Sequence, residues 1–310
     1  MRIRATVAAV TGALALSAFA VPAAQADGSA ISRADVAKVL DAAHAASGKA
    51  GSRVAAGAAA DAPYALDASV SDVKINNGKA IVAGTTKQVT VPTTFTLTHA
   101  ADVDIAAPDF IVDVEIYRGS FAEPDNYLFG DLLPTCTPVS ATVASCKGTI
   151  DARPGDGELF NSDAGTWTAN AYAVAFNGQD PGADDFDVTK VGVAEQDKVG
   201  TTKVQRFSKL TVNASPEPVK KGKTITVKGA LTRANWDTNK YAGYTVQPVK
   251  LQFKKKGTTT YVDVKTVKSA SAGALKTTVK ASADGYFRYN FAGTTTTPAV
   301  KAAGDFVDVN

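Results

Sequence analysis

The chain is poor in the residues that most often carry chemistry. Its 310 residues include two cysteines, two histidines and a single methionine. His44 and His99 are accompanied by no nucleophile-elbow motif, zinc motif or phosphate-cradling glycine loop. Carboxylates are plentiful, but no pair is marked out for glycoside chemistry. These absences exclude the common hydrolase and nucleotide-binding signatures and point to a non-catalytic protein. Long apolar runs are also missing beyond the N-terminus, which excludes a membrane-spanning helix after processing.

What is present begins with an export signal. Arg2 and Arg4 precede the apolar run "ATVAAVTGALALSAFAV", and "PAAQA" supplies small residues for cleavage after Ala26. Residues 1–26 therefore read as a signal peptide, and the mature chain as secreted, either extracellular or loosely associated with the cell envelope. Cysteine use agrees with export. Cys136 and Cys146 stand alone in "CTPVSATVASC", a spacing suited to a disulfide closing a hairpin-sized loop.

Residues 27–66 form an Ala/Gly-rich arm. One helix is readable in "SRADVAKVLDAAHAASG", with a capping box at Ser32 and Asp35 and a thin stripe of Val36, Val39, Leu40 and Ala43. Such a stripe cannot hold a core alone, so a mobile arm is expected. From residue 67 onward, short segments of period-two alternation are separated by Gly, Pro, Asn and Asp clusters, the pattern of β-sandwiches. The number of strands suits two sandwiches, an acidic one over residues 67–203 and a basic one over 204–310, with "VNASPEP" as the hinge region.

The two halves repeat one another. "KQVTV" before "FTLT" matches "KTITV" before "ALT". "VDVEIYRG" (112–119) matches "VKLQFKKKG" (249–257), and "DAGTWTANAY" matches "ADGYFRYNF", all in the same order. In the second pair the apolar positions are kept in kind. The outward positions change from Asp113 and Glu115 to Lys250, Gln252 and Lys254.

Charge follows the same division. The overall net charge is +3, yet residues 66–200 carry 20 acidic against 8 basic residues, and residues 201–310 carry 6 against 19. A solvated face accounts for the lysines of the second half. Contact with a polyanion such as a cell-wall polymer is the functional alternative, through Lys254, Lys255 and Lys256. Nucleic acid is not expected, because the chain is exported and shows no recognition helix. Trp236, in the loop-like "RANWDTNKYAGY", is a candidate ligand contact, whereas Trp167 reads as core.

Acidic loops raise the question of calcium. "NGQDPGADDFDVT" places Asp180, Asp184, Asp185 and Asp187 in one Gly/Pro loop, and Asp102, Asp104 and Asp109 lie in another. Oxygen ligands from such a loop could converge on calcium, although the spacing is not that of an EF-hand.

The block from "LTVNASPEPVKKGKTITVKGALT" through "VKLQFKKKG" to "DFVDV" resembles the C-terminal module of exported actinobacterial proteins, most of them without an assigned activity and some carrying a generic calcium-binding label. The resemblance implies an immunoglobulin-like sandwich and an extracellular location, and it carries over no site residues. The expected architecture is all-β, with two tandem immunoglobulin-like sandwiches following a signal peptide and a flexible arm. The leading expectation for function is a secreted binding or cell-envelope-associated protein whose partner is a cell-wall polyanion or an extracellular protein. A calcium-binding structural protein and an inhibitor of an extracellular enzyme, inserting the Cys136–Cys146 loop, are the alternatives.

Overall fold

The computed structural model describes residues 31–47 and 62–310. The signal segment, its cleavage point and residues 27–30 and 48–61 of the arm lie outside the described residues, whereas residues 62–66, read as the end of the arm, contain a strand at Tyr64–Ala65 that pairs with the first sandwich.

Helix α1 (Arg33–Ser47) comes first. Its capping box forms as read: the Asp35 amide donates to Ser32 Oγ at 3.2 Å, and the Ser32 amide donates to the Asp35 carboxylate at 3.1 Å. An isolated helix of this length is marginal in water. The expectation of a mobile arm is corrected here, because the stripe has something to cover. Val36, Val39 and Ala43 are buried against Ile111, Tyr172, Val174, Phe176, Val191 and Val193, all in one cluster. Full burial of a valine contributes roughly 1.5–3 kcal/mol, a gain that the stripe has only when it is docked on the sheet.

The first sandwich comprises β1 (Tyr64–Ala65), β2 (Ala68–Ile75), β3 (Ile81–Ala83), β4 (Val89–His99), β5 (Phe110–Gly119), β6 (Pro124–Leu128), β7 (Thr135–Pro138), β8 (Val143–Ala152), β9 (Gly165–Ala175) and β10 (Gly192–Arg206). One sheet runs β2-β4-β8-β7. The other runs β1-β10-β9-β5-β6, with β3 also on β10. The second sandwich comprises β11 (Ser208–Leu210), β12 (Asn213–Ser215), β13 (Thr224–Asn235), β14 (Lys240–Gly243), β15 (Pro248–Lys255), β16 (Val262–Lys268), β17 (Ala274–Lys280), β18 (Gly285–Phe291), β19 (Val300–Lys301) and β20 (Asp305–Val307). Here β13 pairs with β11, β12, β14 and β17, facing a sheet in which β16, β15 and β18 are followed by β19 and β20.

The chain is thus all-β, built from two immunoglobulin-like sandwiches. The three sequence pairs are topological counterparts. β4 and β13 lie beside β8 and β17, whereas β5 and β15 lie beside β9 and β18 in the opposite sheet. Inward positions alternate as a half-buried strand requires. Leu97, Ile116, Ile150 and Trp167 fill the first core, and Ile225, Leu251, Tyr289 and Phe291 fill the second. Trp167 is core as read, and its indole N–H donates to the Asp163 carbonyl at 2.7 Å. The Cys136–Cys146 disulfide is present. It joins directly opposed residues of β7 and β8 and so pins an edge strand to its neighbour.

The joint between sandwiches departs from expectation. Phe207 alone separates β10 from β11. "VNASPEP" is not a hinge: Asn213–Ser215 pairs with β13, Ala214 is fully buried, and its amide donates to the Asp305 carboxylate at 2.6 Å. The actual joint is closely packed. The Phe207 amide donates to the Ala83 carbonyl at 2.8 Å, and the Ala234 amide to the Phe207 carbonyl at 2.8 Å. Trp236, a candidate ligand contact on sequence grounds, is 2% exposed and packs into the core of the first sandwich. Its indole N–H donates to the Gly84 carbonyl at 2.8 Å. Its polar neighbours Asn161, Asn235 and Asp237 bond to one another across the joint.

Candidate functional site

The outer face of the β16-β15-β18 sheet gathers an aromatic and cationic cluster. In β15 and β18 the inward residues Leu251, Phe287, Tyr289 and Phe291 alternate with the outward residues Lys250, Gln252, Lys254, Tyr286, Arg288 and Asn290. Register places Lys254 opposite Tyr286, Gln252 opposite Arg288, and Phe306 of β20 on the far side of Tyr286. Tyr261, just before β16, completes the group.

Three rings and three cations stack on this face. The Arg288 guanidinium lies 3.6 Å from the Tyr261 ring centre, and Lys254 Nζ lies 4.6 Å from Tyr286 and 5.3 Å from Tyr261. Tyr286 and Phe306 are 5.1 Å apart, and Lys256 Nζ stands 5.5 Å from Phe306. Arg288 Nε donates to Gln252 Oε1 at 2.9 Å, which sets the plane of the guanidinium. Gly304 lies so close to the Tyr261 hydroxyl that an added Cβ would come within 2.2 Å of it, so this position admits no side chain without moving the ring. Lys250 and Lys256 are paired with Asp263 and Asp284. Among the described residues neither Lys254 nor Arg288 has a carboxylate partner, leaving two cations held against rings with their charge uncompensated.

The sequence-derived residues divide accordingly. Lys254 and Lys256 belong to the cluster, while Lys255 is exposed beside it. Tyr261, Tyr286, Arg288 and Phe306 were missed. The signal available was the alternation "YFRYNF", whose outward members are Tyr286 and Arg288. The position of Tyr261 depends on the turn before β16 and leaves no such trace.

The proposed calcium ligands do not assemble. Asp180 accepts from the Gly182 amide at 2.8 Å, and Asp187 accepts from the Thr189 amide at 3.1 Å and from its hydroxyl at 2.6 Å. Both carboxylates close their own turns, a frequent use of aspartate in Gly/Pro loops. The two acidic loops do meet, since the Gly178 amide donates to Asp109 at 2.6 Å. Asp184 and Asp185 are exposed, and among the described residues no group of three or more His, Cys, Asp or Glu side chains could hold a metal ion. At the disulfide hairpin, Val139 is an exposed large apolar residue of the tip. His99, in principle a catalytic base, is 7% exposed with Nδ1 2.9 Å from the Ala100 carbonyl and a buried Nε2 that has no hydrogen-bond partner among the described residues.

A second group of charges was read as outward and turns out to be covered. Asp113 is 1% exposed beneath α1. Arg33 forms an ion pair with it and reaches Glu115 at 3.2 Å and the Tyr172 hydroxyl at 3.2 Å. At the other end of the helix, His44 Nε2 lies 2.5 Å from Glu195. Burial pushes Asp113 up to about 6 against the opposing pull of Arg33. Burial and then the negative charge of Asp113 push Glu115 up to about 7, and burial also raises Glu195 and Tyr172. Among the described residues no helix is long and apolar enough to cross a membrane.

No family model matches the chain, and no curated protein matches it. Solved structures with a similar course of strands include the I-band fragment I67–I69 of titin, at 9% identity over 78% of this chain and 65% of that one, with a TM-score of 0.29. The full ectodomain (Ig1–Ig3) of mouse nectin-like molecule 4 is similar at 12% identity over 80% of this chain and 65% of that one, with a TM-score of 0.20. The Escherichia coli adhesin FdeC is similar at 11% identity over 79% of this chain and 66% of that one, with a TM-score of 0.29. This chain therefore spans just under two thirds of each of those three, and at such scores the likeness carries no functional argument.

Proposed function

We propose that the chain is an exported, non-catalytic binding protein of the cell envelope whose second sandwich holds an anionic polysaccharide on the outer face of β15 and β18. The observation that supports this reading is the cluster of Tyr261, Tyr286 and Phe306 carrying Lys254 and Arg288 without carboxylate partners. Aromatic rings offer flat apolar area to the C–H faces of sugars, and the cations meet carboxylate or phosphate groups along the polymer. An open sheet face suits an extended chain better than a small molecule. The surplus of basic residues across this half adds long-range attraction.

Cosedimentation with cell-wall material, before and after chemical removal of its anionic polymers, tests the proposal. Binding should fall at least tenfold on removal, on raising salt, and in the double variant Lys254→Glu/Arg288→Glu. Tyr261→Ala should weaken binding without changing its salt dependence, because it removes stacking area rather than charge. Equal binding to neutral glycan, or retention by the double variant, would sink the proposal.

A further inference from the structure

We infer that the joint between the two sandwiches is a binding site for a small tetrahedral oxyanion, either free phosphate or sulfate or the phosphate of a monoester, held by the guanidinium groups of Arg206 and Arg233. This site is separate from the polysaccharide face and does not rest on that reading.

The end of β10 is covered where an open strand would alternate. Val204, Gln205 and Arg206 are all buried. The second sandwich supplies the cover. Gln205 Nε2 donates to the carbonyls of Thr294 at 2.9 Å and Thr295 at 3.1 Å, and the Arg206 amide donates to the Thr296 carbonyl at 3.0 Å. Residues 294–297 are thereby fixed against the last residues of the first sandwich.

Arg206 is 6% exposed, yet its charge is unanswered. Of its five N–H donors only the one on Nε is engaged, donating to the Ala234 carbonyl at 2.6 Å. Asp237 acts on it electrostatically but forms no ion pair with it, and accepts from the Asn161 amide at 2.8 Å instead. The terminal nitrogens are not sealed in. Among the described residues, the side-chain polar atoms buried without a partner belong to Thr93, His99 and Asn170. Those of Arg206 therefore lack a protein partner and keep an opening to solvent.

A second cation adjoins the first. Arg233 lies opposite Ser208 in the register of β11 and β13 and stacks 3.8 Å from the Tyr244 ring centre. Its Nη1 donates to Thr297 Oγ1 at 3.1 Å and Thr296 Oγ1 at 3.4 Å, and Thr294 Oγ1 is 3.2 Å from that of Thr296. Among the described residues Arg233 has no carboxylate partner either. Burial, and then the like charge of Arg233, pushes Arg206 down to about 10, and burial lowers Arg233 too. A buried cation without a counter-charge is costly, and a like charge beside it adds to the cost. A bound oxyanion relieves both. Guanidinium groups present planar pairs of donors that match the oxygens of phosphate or sulfate. An arginine this deeply buried is within reach of a small ion or the end of a monoester, not of the interior of a polymer.

The experiment titrates the chain, expressed without residues 1–26, with phosphate, sulfate and glycerol 3-phosphate, by calorimetry and by thermal unfolding, against chloride at equal ionic strength. Phosphate at a hundred times its dissociation constant should raise the unfolding temperature by about 5 °C, and chloride should not. Binding of glycerol 3-phosphate as tight as that of phosphate assigns the site to monoesters, and binding of the inorganic ions alone assigns it to the free ion. Arg206→Gln and Arg233→Gln should each weaken phosphate binding at least tenfold. Arg233 is only half-buried, so its variant decides the matter if Arg206→Gln does not fold. The amides of Arg206, Phe207 and Ala234, which bond across the joint, should exchange several-fold more slowly with phosphate present. Lys254→Glu/Arg288→Glu should respond to phosphate as wild type does. The proposal is overturned if phosphate does no more than chloride, if either folded arginine variant binds as tightly as wild type, or if the response disappears in Lys254→Glu/Arg288→Glu.

Discussion

Strands β5 and β15 occupy the same place in sibling sandwiches and carry the same inward pattern, yet their outer faces have opposite fates. On β5 the outward Asp113 and Glu115 lie under a helix, with burial raising both carboxylates and Arg33 as their counter-charge. On β15 the outward Lys250 and Lys254 face solvent and neighbouring rings. The difference teaches that alternation defines which side of a strand faces away from the core, and that facing away from the core is not the same as facing water. A chain segment from elsewhere can close over that side. The sandwich scaffold supplies two interchangeable faces, one sealed and one open.

The comparison can be broken most directly by reversing charge at matched positions. Asp113→Lys puts a second cation beside Arg33 under the helix and should cost about 3 kcal/mol or more, with the loss taken mainly as undocking of α1. Hydrogen exchange would show protection disappearing from residues 33–47 while the strands keep theirs. Lys250→Asp on the open face gives up a solvent-exposed pair with Asp263 and should cost far less, no more than about 1 kcal/mol in chemical denaturation. Similar losses at both positions would mean that the two faces are not as different as their coverage implies.

A smaller effect is expected from pH, and its sign is not the habitual one. Asp113 and Glu115 have values raised to about 6 and about 7 in the covered state, and exposure would return them towards the ordinary carboxylate range near 4. The covered state then binds more protons. Docking should be strongest below about pH 4 from this source and weaken as pH rises from there through 6 to 7. The groups acting on this pair are Arg33 from α1, Tyr127 from β6, Tyr172 from β9 and Glu195 from β10, and behind Glu195 stand His44 and Asp41 from α1 and Asp197 from β10. Exchange protection of α1 measured at pH 5.5 and pH 8, corrected for intrinsic rates, should be several-fold greater at the lower pH. On the second sandwich's open face the sign reverses: hydrogen bonds from Lys250 to Asp263 and from the Val309 amide to Asp284 hold both carboxylates below their ordinary range, so what they contribute is lost only in acid.

The smallest effect concerns Lys254 and sharpens the distinction between stability and binding. Removing its two ring contacts by Lys254→Ala should lower the stability of the second sandwich by about 0.5–1 kcal/mol, read from the denaturation midpoint. A loss several times larger would make the aromatic cluster a structural device and remove the main support for a ligand there.

Much of the architecture was legible beforehand because strand alternation is a local property. The three repeated segments were found from residue pattern alone, and each proved to lie at an equivalent place in its sandwich. The disulfide followed from there being two cysteines at hairpin spacing. The site was less legible. Lys254 and Lys256 were visible as charge, but Tyr261 and Phe306 reach the same patch from separate turns, and local pattern holds no record of that meeting. Trp236 was misread because a polar loop that packs against another domain has the composition of one that meets solvent. The arm was misread for a related reason. A thin apolar stripe is too weak to form a core, and the sequence of the helix does not announce that a sheet elsewhere is missing its cover.

The sequence by itself thus determined the sandwiches, their repeat, the division of charge and the cystine, since each rests on periodicity, spacing or composition within a short window. Tertiary structure alone decided which outward faces stay open, where the two sandwiches lock together at Phe207 and Trp236, and which charges are buried. Those outcomes depend on contacts between residues such as Arg33 and Asp113, 80 positions apart, where burial and pairing are settled by the packing of whole elements.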